Sequence, residues 1–261
     1  MTDLLIGISA LVAGGIWGSF LGVLAVRVPQ GLSIATPGSR CDHCFSPLTI
    51  SELIPLISWI RSGGRCRSCA QRILPEIPIS EFSTSFFFIF VAFLPASLEE
   101  RAALVLFFSF ALPLTLIDIR HHRLPHILTF SGIATGLFFS FFTMGGKGLL
   151  ISGEGALIGF IPVAIVALLY SRGMGMGDAF WLAAIGAFTG PMNLSLVLLA
   201  ASSTGILAAF AAHYINPPGK RGPLFGKALP FGPFLSLGGF LALTFPGLVH
   251  VINSHIMEIP L

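Results

Sequence analysis

The stretch "LLIGISALVAGGIWGSFLGVLAVR", residues 4–27, carries no charge until Arg27 closes it. As a helix, an apolar run of this length crosses the roughly 30 Å hydrocarbon core of a bilayer. Residues 1–3 (Met-Thr-Asp) lack the positive n-region of a secretory signal, so the run reads as a permanent first helix over 4–26. The composition agrees. Of the 261 residues, 54% are hydrophobic and only 10% charged, where a water-soluble domain carries about 25% charged residues. Mean hydropathy is +0.91. The 25 phenylalanines suit lipid-facing helix. The fold class is therefore an all-α polytopic membrane protein, in contact with membrane lipid. The net charge of +3 is small, and no long basic run suits nucleic acid.

Working outward, further apolar runs lie at 79–95, 102–118, 126–142, 149–170, 178–190, 192–214 and 232–252. With the first, they predict eight transmembrane helices. The sixth is short, and Gly190-Pro191 makes a sharp turn into the seventh. The positive-inside rule fixes orientation. With the N-terminus outside, twelve of the fourteen basic residues fall inside, and only Arg101 and Lys147 remain outside. In a bacterium this places the chain in the inner membrane with a periplasmic N-terminus. Three parts are expected: the first helix (1–26), a cytoplasmic domain (27–78) and a seven-helix membrane domain (79–261). Residues 215–231 read as a basic, Pro/Gly-rich cytoplasmic loop. No convincing internal repeat is visible.

All four cysteines lie in 27–78, as "CDHC" (41–44) and "CRSC" (66–69), separated by 21 residues. A two-residue spacing lets one tight turn aim both sulfurs at one ion, and two such turns complete a tetrahedral site suited to structural zinc. Cys41, Cys44, Cys66 and Cys69 are the expected ligands. Disulfides fit poorly with a reducing cytoplasm; an iron–sulfur centre or a redox pair is the other alternative. A segment of about 50 residues has too little core to fold easily alone, so the metal is expected to hold it together.

Of the eleven acidic residues, Asp118 and Asp178 stand out in strongly apolar context. Asp118 ends a helix running inward and Asp178 begins one running outward, so topology places both near the cytoplasmic face. Ionisable groups in membrane helices usually face a cavity and mark function. Paired carboxylates suit aspartic proteolysis: one takes a proton from water, which attacks a peptide carbonyl, and the other donates to the carbonyl oxygen. The stretch "RGMGMGDAFW" (172–181) adds Gly173, Gly175 and Gly177, which would form a flexible loop admitting substrate and water. Asp178 is also a good helix cap, and Asp118 has Arg120 and Arg123 nearby.

Several segments, in order, resemble the type IV prepilin peptidases, the bifunctional leader peptidase/N-methyltransferases. "GSFLGVLAVRVP" (18–29) resembles the exit of that family's first helix, and "SELIPLISWIRSGGRCRSC" (51–69), with the first cysteine pair, its zinc segment. "LPEIPISEF" (74–82) leads into the second helix. "DIRHHRLP" (118–125) is similar to the first aspartate motif, "GMGMGD" (173–178) to the GxGD motif, and "LPFGPFL" (229–235) to the C-terminal signature. The resemblance implies Asp118 and Asp178 as the catalytic pair. It implies prepilin or pseudopilin substrates of type IV pilus and type II secretion systems, cut after a glycine on the cytoplasmic side. It also implies N-methylation of the new N-terminus with S-adenosylmethionine, a step in which 27–78 takes part.

Three positions depart from the family pattern. Gly22 stands where asparagine is frequent, His126 where a third aspartate is common, and Phe180 where a lysine often follows. Two other functions compete. Intramembrane carboxylates beside glycine-broken helix also occur in proton- or cation-coupled transporters, which usually show paired repeats. The other is an inactive scaffold for pilus or secretion assembly.

Overall fold

The computed structural model describes residues 1–170, 175–215, 229–245 and 247. Helices dominate: α1 (Thr2–Arg27), the short α2 (Ile57–Arg61), α3 (Glu76–Phe93), α4 (Leu98–His121), α5 (His126–Leu169), α6 (Met176–Thr189), α7 (Leu194–Ile215) and α8 (Gly232–Thr244). Among the described residues there is no strand, only two isolated bridges, Arg40 with Pro47 and Arg65 with Arg72. Five helices, α1, α3, α4, α5 and α7, are long and apolar enough to cross a membrane. The chain divides into two compact units, Met1–Arg101 and Ala102–Leu261.

In the first unit, α1 and α3 lie against each other along a stripe of small residues. A Cβ built on Gly14 would stand 2.7 Å from Ser85 Cα, and one on Gly18 2.7 Å from Glu81 Cα. Gly22 continues the stripe one turn on, with Ser80 and Ile77 against it. Small residues every fourth position let helix backbones approach within the bilayer. Ser85 Oγ donates to the Leu11 carbonyl at 3.1 Å, tying the seam across the pair. Gly22 is thus a packing residue, and a side chain there would have to move Ser80 Oγ and press on Ile77 of α3.

The second unit is built around α6. Trp181, Leu182, Ala184, Ile185 and Ala187 are all at most 2% exposed. A helix apolar on every side is a buried helix, and this one is sheathed by protein. Its 14 residues make it only about 21 Å long.

The long α5 is two limbs joined at a bend. Its 44 residues would extend about 66 Å if straight, twice a bilayer core. Gly145 breaks the helical path at φ 64°, ψ −149°. Ser140 Oγ then donates to the Gly148 carbonyl at 3.0 Å, across eight positions that a straight helix holds about 12 Å apart. The element is a hairpin, folding back at Gly145 between the runs expected at 126–142 and 149–170. Both limbs flank α6. On the first, Gly132 faces Ala184 and Gly136 faces Ala187; on the second, Gly155 meets Gly186 backbone to backbone and Gly159 meets Leu182. Ser152 Oγ reaches the Ala187 carbonyl at 2.6 Å.

The turn after α6 runs as the sequence suggests, with Gly190 at φ 75° followed by a 3-10 turn at Pro191–Asn193. The last expected run, 232–252, is helical over Gly232–Thr244; beyond Phe245 all but Gly247 lies outside the described residues, as does nearly all of the 215–231 loop.

Candidate active site and four-cysteine centre

Three helix ends meet around Asp118. The residue lies in the last turn of α4, 5% exposed. Its Oδ2 accepts the backbone N–H of Gly232, the first residue of α8, at 2.9 Å. Free amides and the positive dipole end of a helix favour a carboxylate there. Gly232 is required by space: a Cβ would stand 2.8 Å from Asp118 Oδ2 and 3.2 Å from Leu124. The contact is set by a hydrogen-bond relay one turn deeper. Ser236 Oγ donates to the Gly232 carbonyl at 2.9 Å and accepts from Trp181 Nε1 and Thr115 Oγ1, each at 3.1 Å. Thr115 and Asp118 share a face of α4, so α4, α6 and α8 are keyed together directly below the carboxylate. Phe107 stacks on Trp181 at 5.6 Å and extends the packing.

Asp178 sits in the first turn of α6. Its Oδ2 accepts the Gly175 N–H at 3.2 Å, and its own N–H donates to the Gly175 carbonyl at 3.1 Å. The residue therefore does tie the start of α6, as a third-position partner and not as the cap itself. Gly177 lies against Leu124, where a Cβ would approach Leu124 Cβ to 2.9 Å. Leu124, in the turn between α4 and α5, thus touches the glycines beside both aspartates. The two carboxylates are near enough to interact electrostatically. Each has one oxygen held by a backbone amide, which leaves the other for water or a proton. Gly175 caps α6 and Gly177 lies in its first turn, both just before Asp178; Gly173 lies outside the described residues.

Sequence reasoning missed Gly232, Ser236 and Leu124 as builders of this site. The "LPFGPFL" and "DIRHHRLP" segments held Gly232 and Leu124 only as motif positions, and nothing in spacing pointed to Ser236. His126 and Phe180, the two departures beside the site, prove to touch: their rings are 5.2 Å apart edge to face, within a cluster that includes Phe130 and Phe160.

The cysteines form a second centre, in the first unit. All four Sγ atoms lie within 4.8 Å of one another, with Cys41 and Cys69 at 3.8 Å and Cys44 and Cys66 at 3.9 Å. A tetrahedron of sulfurs at about 2.3 Å from a zinc ion has edges of about 3.8 Å, so the donor set fits. The two turns are copies of each other. Phe45 N–H donates to Cys41 O and Ala70 N–H to Cys66 O, while Cys41 and Cys66 donate to Ser46 O and Gln71 O. Phe45 and Ala70 both adopt φ near +60°. The repeat not evident in the sequence is present here at a scale of about eight residues, from one bridge partner to the other. Amides of Cys69 and Ser68 lower Cys66 to about 6. Cys69 accepts from Gln71, which lowers it, yet burial and the three neighbouring sulfurs push it up to about 12. Four sulfurs this close do not all hold charge without a cation among them.

Comparison with known proteins follows the same division. Residues 12–94 match the Bacterial Peptidase A24 N-terminal domain, and residues 105–210 match the Type IV leader peptidase family. The "Type 4 prepilin-like proteins leader peptide-processing enzyme" of Escherichia coli O78:H11 (strain H10407 / ETEC) is 31% identical, over 90% of this chain and 92% of its own length. The "Prepilin leader peptidase/N-methyltransferase" of Aeromonas hydrophila is 33% identical over 81% of this chain and 72% of its own. That of Pseudomonas putida is 29% identical over 95% and 93%. No solved structure matches. The chain belongs to the type IV leader peptidase family. It is a membrane-embedded protease of that class, and relatives of this kind carry an N-methyltransferase name as well.

Proposed function

We propose that this chain removes the short basic leader of type IV prepilins or type II secretion pseudopilins at the cytoplasmic face of a bacterial inner membrane, using Asp118 and Asp178. The observation that carries the reading is the meeting of both carboxylates around Leu124 at helix ends, each with one oxygen on an amide. Two carboxylates in one site share a proton. A water between the free oxygens gives its proton to the ionised member and attacks the scissile carbonyl. The protonated member donates to the carbonyl oxygen, and the pair is restored as the amine leaves. Gly175 caps α6 without a side chain, so an extended substrate strand can come close to the backbone beside Asp178. The transporter and scaffold alternatives are not favoured by the family.

Counting the α5 limbs separately, the apolar helices make eight crossings, with the N-terminus periplasmic and 27–78 cytoplasmic. This keeps the division into a first helix, a four-cysteine domain associated with methyl transfer, and a seven-helix peptidase domain. Cys41, Cys44, Cys66 and Cys69 hold zinc, which closes two loops and supplies no open coordination position for chemistry. N-methylation of the new N-terminus is the second activity. S-adenosylmethionine would supply the methyl group, and the first unit contains a cavity of about 380 Å³ that suits a ligand of that size. Trp59 offers it a flat ring, and Arg40, Arg65 and Arg72 offer a carboxylate partner.

The test is an intact mass spectrum of a prepilin incubated with the purified protein and S-adenosylmethionine, with Asp178→Asn alongside. Loss of the leader in the wild-type sample alone, with one added methyl group, is the expected result. Unprocessed substrate across several prepilins would refute the assignment.

A further inference from the structure

The cavity of the first unit has one wall that the cofactor does not account for. It opens among the cysteine-bearing turns, near Arg40, Cys41 and Cys66, and runs in between α1 and α3 to Ser19 and Glu81. Ser19 lies eight residues before the end of α1, which is about 12 Å of helix, and Glu81 lies five residues into α3, about 7.5 Å. The cavity therefore reaches from the polar turns into the depth of the membrane helices. Val23, Val26 and Ile77 line that inner end.

Glu81 is the charged group of the inner end, and it is 5% exposed. Its Oε2 accepts the Leu56 N–H at 2.7 Å, and the Ser19 hydroxyl donates to the carboxylate. A carboxylate offers about four acceptor positions. Two are used by these neutral donors, and the residue lines the cavity. A buried carboxylate held only by neutral donors is poorly compensated, and a cation arriving in the cavity is the group that would complete it. Leu56 itself is held at φ 60°, so the Glu81 bond also fixes the turn that closes this end.

We infer that Glu81 is a catalytic residue of methyl transfer, receiving the α-ammonium of the newly exposed N-terminus and taking its proton. The inference rests on the methyltransferase reading above. Depth separates the two reactants. The cofactor enters from water among the arginines, whereas the acceptor is the end of a membrane helix and arrives at the bilayer side, where Glu81 stands. The ammonium gives one proton to the Glu81 carboxylate. The freed nitrogen lone pair forms a bond to the methyl carbon, the carbon–sulfur bond breaks, and its electrons remain on sulfur as a neutral thioether. The methylated amine carries the positive charge, and Glu81 returns its proton to water.

The experiment uses the full-length protein in detergent and a mature pilin peptide with a free N-terminal phenylalanine, so that methyl transfer is measured without prior cleavage. Binding of S-adenosylhomocysteine, read by calorimetry, and metal content are measured in parallel. Glu81→Gln keeps an oxygen for the Leu56 amide and removes the charge. The expected result is a loss of methyl transfer of at least about a hundredfold, the scale of a proton acceptor, with S-adenosylhomocysteine affinity and metal content unchanged. Glu81→Asp, which keeps the charge on a shorter arm, recovers part of the rate. Methyl transfer by Glu81→Gln at the wild-type rate overturns the inference and leaves Glu81 as a tie for the Leu56 turn. Parallel loss of S-adenosylhomocysteine binding also overturns it. A wild-type protein that cleaves prepilin yet transfers no methyl group sinks the methyltransferase reading and the inference together.

Discussion

The four-cysteine centre and the two-aspartate site solve the problem of assembling a site in opposite ways. Each cysteine pair sits in one short turn that closes on itself, Cys41 to Ser46 and Cys66 to Gln71. The only long-range task is to bring two such turns together. The aspartates have no such local frame. Asp118, Asp178 and Gly232 come from three helix ends more than fifty residues apart in sequence, and nothing but the packing of α4, α6 and α8 makes them neighbours. A site of the first kind depends on its own two turns; a site of the second depends on every helix contact beneath it.

The sharpest way to break this contrast is to remove one functional group from each centre. Asp118→Asn and Asp178→Asn should each reduce leader cleavage by about a thousandfold or more, with metal content, read by elemental analysis, unchanged. Cys66→Ser should do the reverse: loss of bound metal, rapid proteolysis within 27–78, and no methyl transfer, while cleavage stays within a few-fold. If a cysteine variant abolishes cleavage as completely as an aspartate variant, the independence of the two centres is wrong.

A backbone crossing far from the chemistry should matter next. Gly155 and Gly186 touch backbone to backbone, so Gly186→Leu must push α5 from α6. We expect a loss of about 3 kcal/mol or more, as for severe overpacking, seen as a lowered Tm in detergent and as lost cleavage despite both aspartates being present. A smaller effect should come from Ser236→Ala, which leaves Trp181 Nε1 and Thr115 Oγ1 without their acceptor. A cost of about 1–3 kcal/mol is expected, with cleavage lowered through kcat more than KM because Gly232 no longer holds Asp118 in place.

The mildest test is acid. Metal competes with protons for the sulfurs. Cys66 is already held to about 6, chiefly by the Cys69 and Ser68 amides with help from the Cys41 and Cys69 sulfurs, and a bound cation lowers it further. Metal should thus stay bound at neutral pH and begin to leave only below about pH 6, as falling pH protonates the thiolates; release starting well above that would contradict the amide support.

The same contrast explains what the sequence disclosed. The cysteine spacing predicted its own geometry because the chemistry is local. The apolar runs were equally plain, since a bilayer sets a fixed length for each. Residues 126–142 and 149–170 read correctly as separate runs, although they join in one continuous helical element that only Gly145 bends back. Gly22 was harder. Seen as a departure beside the first helix exit, it is instead the third step of the Gly14–Gly18–Gly22 stripe against α3, a pattern visible once its partner helix is known. Ser236 was illegible: a lone serine in an apolar run gives no hint that it joins three helices. His126 and Phe180, taken one at a time, look like two lost charges; in contact, they form one aromatic pair.

The shortness of α6 has a further consequence. At 14 residues for α6 and 13 for α8, both helices fall about 10 Å short of the hydrocarbon core. Because α6 is sheathed by protein, lipid does not meet its shortfall directly, and the aqueous phase is what can dip inward over the helix ends. Asp178 opens α6 and Gly232 opens α8, so a shortfall taken at these ends would bring water to the carboxylates. If Asp118 and Asp178 cleave the leader as proposed, a peptide bond at the edge of a membrane helix is hydrolysed with water close at hand, and the substrate need not leave the lipid to reach it.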